Sequence, residues 1–134
     1  MIESIEQAIK ILQDTSETEV EREHAIQYLH EHESGEGIDA LVASLEEDDY
    51  GVRWAAGSAL AQIGENAMPS LLKALIKADN DVRLRDATVH IIHTNSSRKV
   101  REESVALLEA LQGPSAAIAS MEAAYALMER WNIT

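Results

Sequence analysis

The chain lacks cysteine and phenylalanine, and it contains only two prolines among its 134 residues. Without cysteine it can form no disulfide, no thiolate metal site and no cysteine nucleophile. Aromatic residues make up only 4% of the sequence, and alanine and leucine are its commonest apolar residues, a composition that favours closely packed helices over β-strands. Both prolines, Pro69 and Pro114, stand where a helix is predicted to begin. We therefore expect an all-α protein.

Basic residues are also scarce. The chain has 11 lysines and arginines against 24 acidic residues, which gives a net charge of −13. Residues 1–49 hold 15 acidic and 2 basic residues, whereas residues 50–134 hold 9 of each, so the whole excess lies in the first part of the chain. A nucleic-acid partner is not expected, because phosphate binding requires a basic surface. The acidic part either keeps a terminal repeat soluble or docks a basic partner.

Several functional signals are missing as well. No apolar run approaches the length of about 18 residues that marks a membrane-spanning helix, and the acidic, amphipathic N-terminal segment does not resemble a signal peptide. The sequence contains no glycine-rich phosphate loop, no H-E-x-x-H and no G-x-S-x-G motif. We therefore expect a cytoplasmic protein that neither contacts a membrane nor catalyses a reaction.

A helical pattern recurs along the chain at intervals near 30 residues. The pattern M-x-x-L-L-x-x-L begins at residue 68, I-x-x-L-V-x-x-L at residue 38 and I-x-x-A-I-x-x-L at residue 5, which gives offsets of 30 and 33 residues. A Val-Arg pair at 52–53 recurs at 82–83, and an acid precedes each arginine by four residues. Apolar residues at spacings of three and four form one buried helix face, and a period of this length is typical of an α-solenoid.

The best preserved unit begins at residue 52. It reads V-R-x-x-A-G-x-A-L-A-x-I-G, followed by A-M-P-x-L-L-x-A-L from residue 67. This unit resembles the HEAT-like repeat, in the short form named after phycobilisome lyases, and the resemblance is strongest over residues 36–87. It implies an α-α superhelix of about eight helices in four antiparallel pairs, within a single domain over residues 1–134. The pairs cover about 1–33, 34–64, 65–94 and 95–134, and the first and last are degenerate caps.

The apolar pattern and its breaks place the eight helices. The first two are predicted at about 2–13 and 19–33, and the third follows a break at 34–37 and ends at about 47. The others are predicted at about 50–63, 67–77, 82–93, 98–112 and 115–131. The sixth departs from the repeat, since Asp86, His90 and His93 stand where the fourth has apolar residues. Either this helix is rotated or its histidines are buried with partners. The seventh follows the first-helix pattern, and the eighth is expected to close the stack.

The resemblance also implies roles for individual residues. In such repeats an acid and the arginine four residues later form a structural ladder, here Asp49 with Arg53 and Asp79 with Arg83. The second helix of each pair lines the concave side of the stack, where a partner protein or peptide binds. The residues expected on this side are Glu23, His24, Gln27 and Glu31, then Trp54, Ala55, Ser58 and Gln62, and finally Leu84, Arg85, Thr88 and Ile92.

The leading hypothesis is a non-enzymatic scaffold that binds a protein or peptide without a cofactor. The alternative is a small bilin-lyase-like subunit that handles a tetrapyrrole, and a third possibility is a unit that only stacks on other subunits.

An iron-hydroxylase relative is disfavoured, because the His-Glu ligands of that branch are replaced at 23–24, 54–55 and 84–85. No metal site is expected, since His30 and His32 face different sides of a helix, and His90 and His93 lack a third ligand. An exposed Trp54 would be a binding hot spot, whereas a packed one would only join adjacent helices.

Overall fold

The computed structural model describes residues 1–77 and 80–134, and within them the chain forms nine α-helices and no β-strand. The prediction of an all-α protein is therefore confirmed. The helices are α1 (Ile5–Gln13), α2 (Glu19–Glu31), α3 (Gly35–Ala43), α4 (Tyr50–Ile63), α5 (Met68–Leu75), α6 (Val82–His93), α7 (Arg98–Glu103), α8 (Val105–Gln112) and α9 (Ala116–Arg130). Short 3-10 turns at Ser44–Glu46 and Gly64–Ala67 follow α3 and precede α5. The seventh predicted helix is divided at Ser104, which adds one helix to the predicted number.

Side-chain caps explain where many of the helices begin. In α1, α2, α3, α4, α6 and α7, the residue before the helix accepts a hydrogen bond from a backbone N–H of the first turn. These capping residues are Ser4, Thr18, Ser34, Asp49, Asp81 and Ser97. A cap of this kind stabilises a helix by about 1 kcal/mol. α4 ends at Gly64, whose φ of 81° lies in the left-handed region that favours glycine. The bounds predicted for α4 and α6 therefore agree with those of the structure.

The helices stack in two layers. One layer contains α1, α3, α5 and α9, each in contact with the next, and the other contains α2, α4, α6 and α8 in the same way. The core between the layers consists mainly of leucine, isoleucine and alanine, and several of its largest side chains are fully buried. Among these are Leu12, Leu29, Leu41, Leu60 and Leu72. This is the α-solenoid that the repeat predicts.

The last helix pair is reversed relative to the others. The sequence pattern predicts that the seventh helix continues the first-helix layer, but α8 packs against α6 and α9 packs against α5. The chain bends at the buried Ser104, between α7 and α8, and α8 then lies against the layer of α6. Leu107 and Leu111 join the core there. The prediction for this pair is therefore wrong, because a pattern of apolar spacings does not fix the direction in which a helix leaves a bend.

The helix α6 presents a different face to the core from the one that the repeat predicts. Its buried residues are Leu84, Thr88, Ile91 and Ile92. The repeat aligns the buried positions 52, 56, 59 and 60 of α4 with positions 82, 86, 89 and 90 of α6. Each residue that α6 buries lies two positions after one of these. Because each residue advances a helix by about 100°, a shift of two residues rotates the buried face by about 200°. Asp86 and His93 are consequently exposed and His90 is half-buried, so rotation is the correct explanation of the polar residues.

Substitutions at two adjacent positions test this rotation. Ile92 is buried and His93 is exposed. Ile92→Val should lower the free energy of unfolding by about 1 kcal/mol, because it removes a buried methylene group. His93→Ala should change it by less than about 0.5 kcal/mol, as expected for an exposed side chain. Urea denaturation measures both values, and a larger loss for His93→Ala would mean that α6 presents the face that the repeat predicts.

Candidate functional site

The candidate site lies on the exposed surface of α2, α4 and α6, called here the second-helix face. It carries two exposed aromatic residues of α4, Tyr50 at 70% and Trp54 at 54% exposure. They are four residues apart, so they lie on the same side of the helix. A cleft of about 270 Å³ between α4 and α6 opens beside them, and it is called here the Trp54 cleft. Its lining residues are Tyr50, Arg53, Trp54, Gly57, Arg83, Asp86, Ala87 and His90.

The indole ring of Trp54 packs against the imidazole ring of His90 across the cleft. The ring centroids are 4.7 Å apart and the ring planes make an angle of 37°. The rotation of α6 brings His90 to this position, since the repeat pattern would have placed it in the core. More than half of the Trp54 surface stays accessible, so the indole contacts a neighbouring helix and is also available to a partner.

The expected ladder pair of Asp49 and Arg53 is not formed. Asp49 Oδ1 accepts a hydrogen bond from the backbone N–H of Val52 (3.2 Å) and thereby caps α4. Arg53 Nη1 donates instead to the carbonyl oxygens of Glu47 (2.7 Å) and Asp48 (3.0 Å). The cap position directs the carboxylate at N–H groups that have no partner within the helix, and this explains why Asp49 does not turn towards Arg53.

The arginine of α2 that matches Arg53 reaches the same loop at 47–48. The side chain of Arg22 is only 4% exposed, and its Nη2 donates to Glu47 Oε1 at 2.6 Å. Its Nε donates to the carbonyl oxygen of Leu12 at 2.9 Å. Glu47 therefore neutralises a buried guanidinium and joins the first repeat to the second.

Arg83 of α6 completes this convergence on the loop at 47–48. Its guanidinium contacts the carboxylates of Asp48 (2.9 Å) and Asp81 (3.2 Å). The hydrogen bond between the side chains of Arg83 and Asp81 lowers the pKa of Asp81 and raises the pKa of Arg83. The partner that the resemblance implies, Asp79, lies outside the described residues. Arginines of three successive repeats thus contact one loop, an arrangement that the predicted pairing of Asp49 with Arg53 did not include.

The predicted face residues of α2 and α4 lie at or near the surface. In α2 the exposed residues are Glu23, His24, Gln27 and Glu31, and in α4 Gln62 is exposed while Ala55 and Ser58 are half-buried. Gln27 Nε2 donates to Glu31 Oε1 at 2.7 Å. These side chains are thus in a position to contact a partner, and their role in binding stays a prediction.

The predicted face residues of α6 are placed differently. Leu84, Thr88 and Ile92 are buried, because the rotation of α6 turns them into the core, so the expectation that they line the face is wrong. Thr88 Oγ1 donates to the carbonyl oxygen of Leu84 at 2.7 Å, which satisfies the buried hydroxyl. Arg85 is half-buried and its Nη1 donates to two oxygens of Asn80. The α6 wall of the site is therefore formed by other residues.

Three residues of the face were not predicted from the sequence, namely Tyr50, Asp86 and His90. Asp86 and His90 line the Trp54 cleft from α6, in the positions left by the predicted residues. The sequence contained a signal for Asp86 and His90, since both are polar residues at positions that the repeat assigns to the core. Such residues indicate that the helix has turned those positions to the surface.

Carboxylates border the α2 side of the second-helix face. Glu19, at the start of α2, lies so close to Gly51 of α4 that a Cβ atom at this glycine would collide with its carboxylate. The neighbouring carboxylate of Asp49 raises the pKa of Glu19, which indicates a negative potential at this edge. Glu23 follows one turn later on α2 and is exposed. A cation approaching this edge would be attracted.

Within residues 1–77 and 80–134, no group of three or more histidine and acidic side chains is arranged to hold a metal ion. Among the same residues, none of the helices is both long enough and apolar enough to cross a membrane.

Comparison with known proteins yields one match. The family model described as HEAT repeats matches residues 5–92, which is about two thirds of the chain and includes α1 to α5 and nearly all of α6. No curated protein and no solved structure gives a significant match. The matched region ends before α7, where the reversed helix pair begins.

Proposed function

The chain belongs to the HEAT-repeat family, and on that premise we propose that it is a non-enzymatic interaction module that binds a protein or peptide on its second-helix face. Repeats of this family commonly form protein-interaction scaffolds, since stacked helix pairs offer an extended surface. The observation that carries the proposal is the pair of exposed aromatic residues, Tyr50 and Trp54, beside an open cleft.

Trp54 has the properties of an interface anchor. Tryptophan, tyrosine and arginine are the residue types most enriched among binding hot spots, and all three line the Trp54 cleft. An indole that is more than half exposed has apolar surface left for a partner to cover. The small residues Gly57 and Ala87 leave the space beside it open. A partner side chain inserted there would bury the indole and exclude water from the cleft.

The charge distribution favours a basic partner. The acidic excess lies in residues 1–49, and Glu19 and Glu23 bring part of it to the second-helix face. A positively charged segment would relieve the repulsion between Glu19 and Asp49 that raises the pKa of Glu19. Exposed charges of this kind mainly increase the rate of association.

At the Trp54 cleft, the bilin-handling alternative has weaker support than a peptide. The family match identifies HEAT repeats and does not distinguish the phycobilisome-lyase type. The Trp54 cleft has a volume of about 270 Å³, which is below the range of about 300–1,000 Å³ found for small-molecule sites. A cleft of this size fits one amino-acid side chain better than a tetrapyrrole.

Reversal of one charge tests the proposed face. The probe is a peptide selected on the wild-type protein from a random displayed library. Glu23→Lys should lower the association rate several-fold at about 20 mM ionic strength, and the effect should nearly vanish at about 300 mM because exposed charges are screened. Glu109→Lys, an equally large charge change at an exposed position of α8, is the control. Equal effects of the two variants would show that the peptide does not approach α2.

A further inference from the structure

The Trp54 cleft offers room for one side chain between two helices. Its volume is about 270 Å³. Trp54 and Tyr50 provide aromatic surface from α4, and Ala87 and His90 line it from α6, with the His90 ring 4.7 Å from that of Trp54. Gly57 also lines the cleft, and a Cβ atom there would meet only the side chain of Leu45, at an ordinary distance of 3.9 Å. The lining combines aromatic, small apolar and charged groups, which suits a side chain that has an apolar stem and a charged end.

The two arginines that line the cleft are outnumbered by three nearby carboxylates, those of Asp48, Asp81 and Asp86. Arg83 is paired with both Asp48 and Asp81, so its charge is more than balanced. Arg53 is directed to backbone carbonyl oxygens of the loop at 47–48, with its guanidinium 5.5 Å from the centre of the Tyr50 ring. An anionic occupant would also meet the acidic surface of residues 1–49. The surroundings therefore favour a cation.

Asp86 supplies the charge that such a cation requires. It lies on the α6 wall of the cleft and is exposed, and within the described part of the chain it forms no salt bridge. The face of a tryptophan ring attracts cations, and arginine is found there more often than lysine. A planar guanidinium can stack on a ring while donating two hydrogen bonds to a carboxylate, which an ammonium group cannot do.

We propose that the Trp54 cleft binds an arginine side chain of a basic partner segment, with the guanidinium against Trp54 and hydrogen-bonded to Asp86. This inference rests on the proposed function, because it assigns the partner residue that the second-helix face recognises. Lysines elsewhere in the segment would contact the acidic edge at Glu19 and Glu23. Recognition of the partner then depends on one arginine at a fixed distance from a basic stretch.

A set of matched peptides tests the assignment. Each is a short fluorescein-labelled peptide of lysine, serine and glycine with one central position, which is occupied in turn by arginine, citrulline, lysine or leucine. Citrulline has nearly the shape of arginine but no charge. Fluorescence polarisation should give an affinity about tenfold higher for the arginine peptide than for the citrulline peptide. In Asp86→Asn this ratio should fall below about twofold, because the charged acceptor is gone. Glu109→Gln, a similar change on α8, should leave it unchanged.

The outcomes separate this inference from the proposed function. If Asp86→Asn keeps the tenfold ratio, or if the leucine peptide binds more tightly than the arginine peptide, the arginine assignment is wrong. No measurable binding of the arginine peptide would overturn it as well. In each of these cases the proposed function stands if peptides selected from a random library lose affinity in Trp54→Ala. The proposed function is wrong as well if those peptides bind the Trp54→Ala variant and the wild type with equal affinity.

Discussion

Glu47→Ala should lower the free energy of unfolding by about 2–4 kcal/mol, because it leaves a buried guanidinium without its carboxylate partner. Glu47 is the acidic partner of Arg22, whose side chain is only 4% exposed. Without Glu47 the guanidinium keeps its hydrogen bond to the carbonyl oxygen of Leu12 but loses the charge that balances it. A buried charge without a partner is costly, because it has exchanged water for an environment of low polarity.

Asp48→Ala is the matched control for this prediction. Asp48 is the next residue of the same loop and pairs with Arg83, but its side chain is fully exposed. Exposed ion pairs contribute little to stability, so this variant should unfold almost as the wild type does. Urea denaturation followed by circular dichroism measures both. Equal losses in the two variants would mean that the loop is stabilised by its backbone contacts to Arg53 and not by the buried pair.

The sequence predicts much of the fold because local signals agree with the repeat. The bounds of α4 and α6 follow from capping residues and from Gly64, which act within one helical turn. The two-layer stack follows from the period near 30 residues. Both kinds of signal can be found in the order of residues alone, since they depend on spacing along the chain.

The face that α6 buries depends on contacts between helices, so the sequence left two alternatives open for it, rotation or buried histidines, and the structure has the rotated helix. Alignment with α4 places polar residues in the core, and only the rotated helix buries Leu84, Ile91 and Ile92. The predicted pair of Asp49 and Arg53 is not formed for a similar reason, because Asp49 has two competing partners and the nearer one is the start of its own helix. A repeat pattern states which positions are equivalent but not which of two contacts each will make.

The candidate site was predicted in part. The position of Trp54 at an exposed site of α4 is as the leading hypothesis required, and Glu23 is likewise exposed on α2. The α6 side was misassigned, because the site there is formed by Asp86 and His90, which become accessible only when the helix rotates. A polar residue at a core position of a repeat therefore indicates that the helix turns this position towards the surface.

Trp54→Ala tests the central claim, which is that the second-helix face binds its partner through an exposed indole. Trp54 is 54% exposed, so its truncation should lower the free energy of unfolding by only about 0.5–1 kcal/mol, including the lost contact with His90. Affinity should fall far more, by about 30-fold or greater, because an anchor of this type contributes about 2 kcal/mol or more to binding. Tyr125→Ala is the control, since this aromatic residue of α9 is also 54% exposed and lies outside the face.

The decisive measurement is the affinity of wild-type, Trp54→Ala and Tyr125→Ala proteins for one peptide selected on the wild type from a random library, with the unfolding free energy of each measured in the same buffer. The account predicts that Trp54→Ala loses about 30-fold in affinity with little loss of stability, while Tyr125→Ala keeps the affinity of the wild type. Equal affinities of the two variants would contradict it. So would a loss of about 3–5 kcal/mol in the unfolding free energy of Trp54→Ala, which would be the behaviour of a core tryptophan.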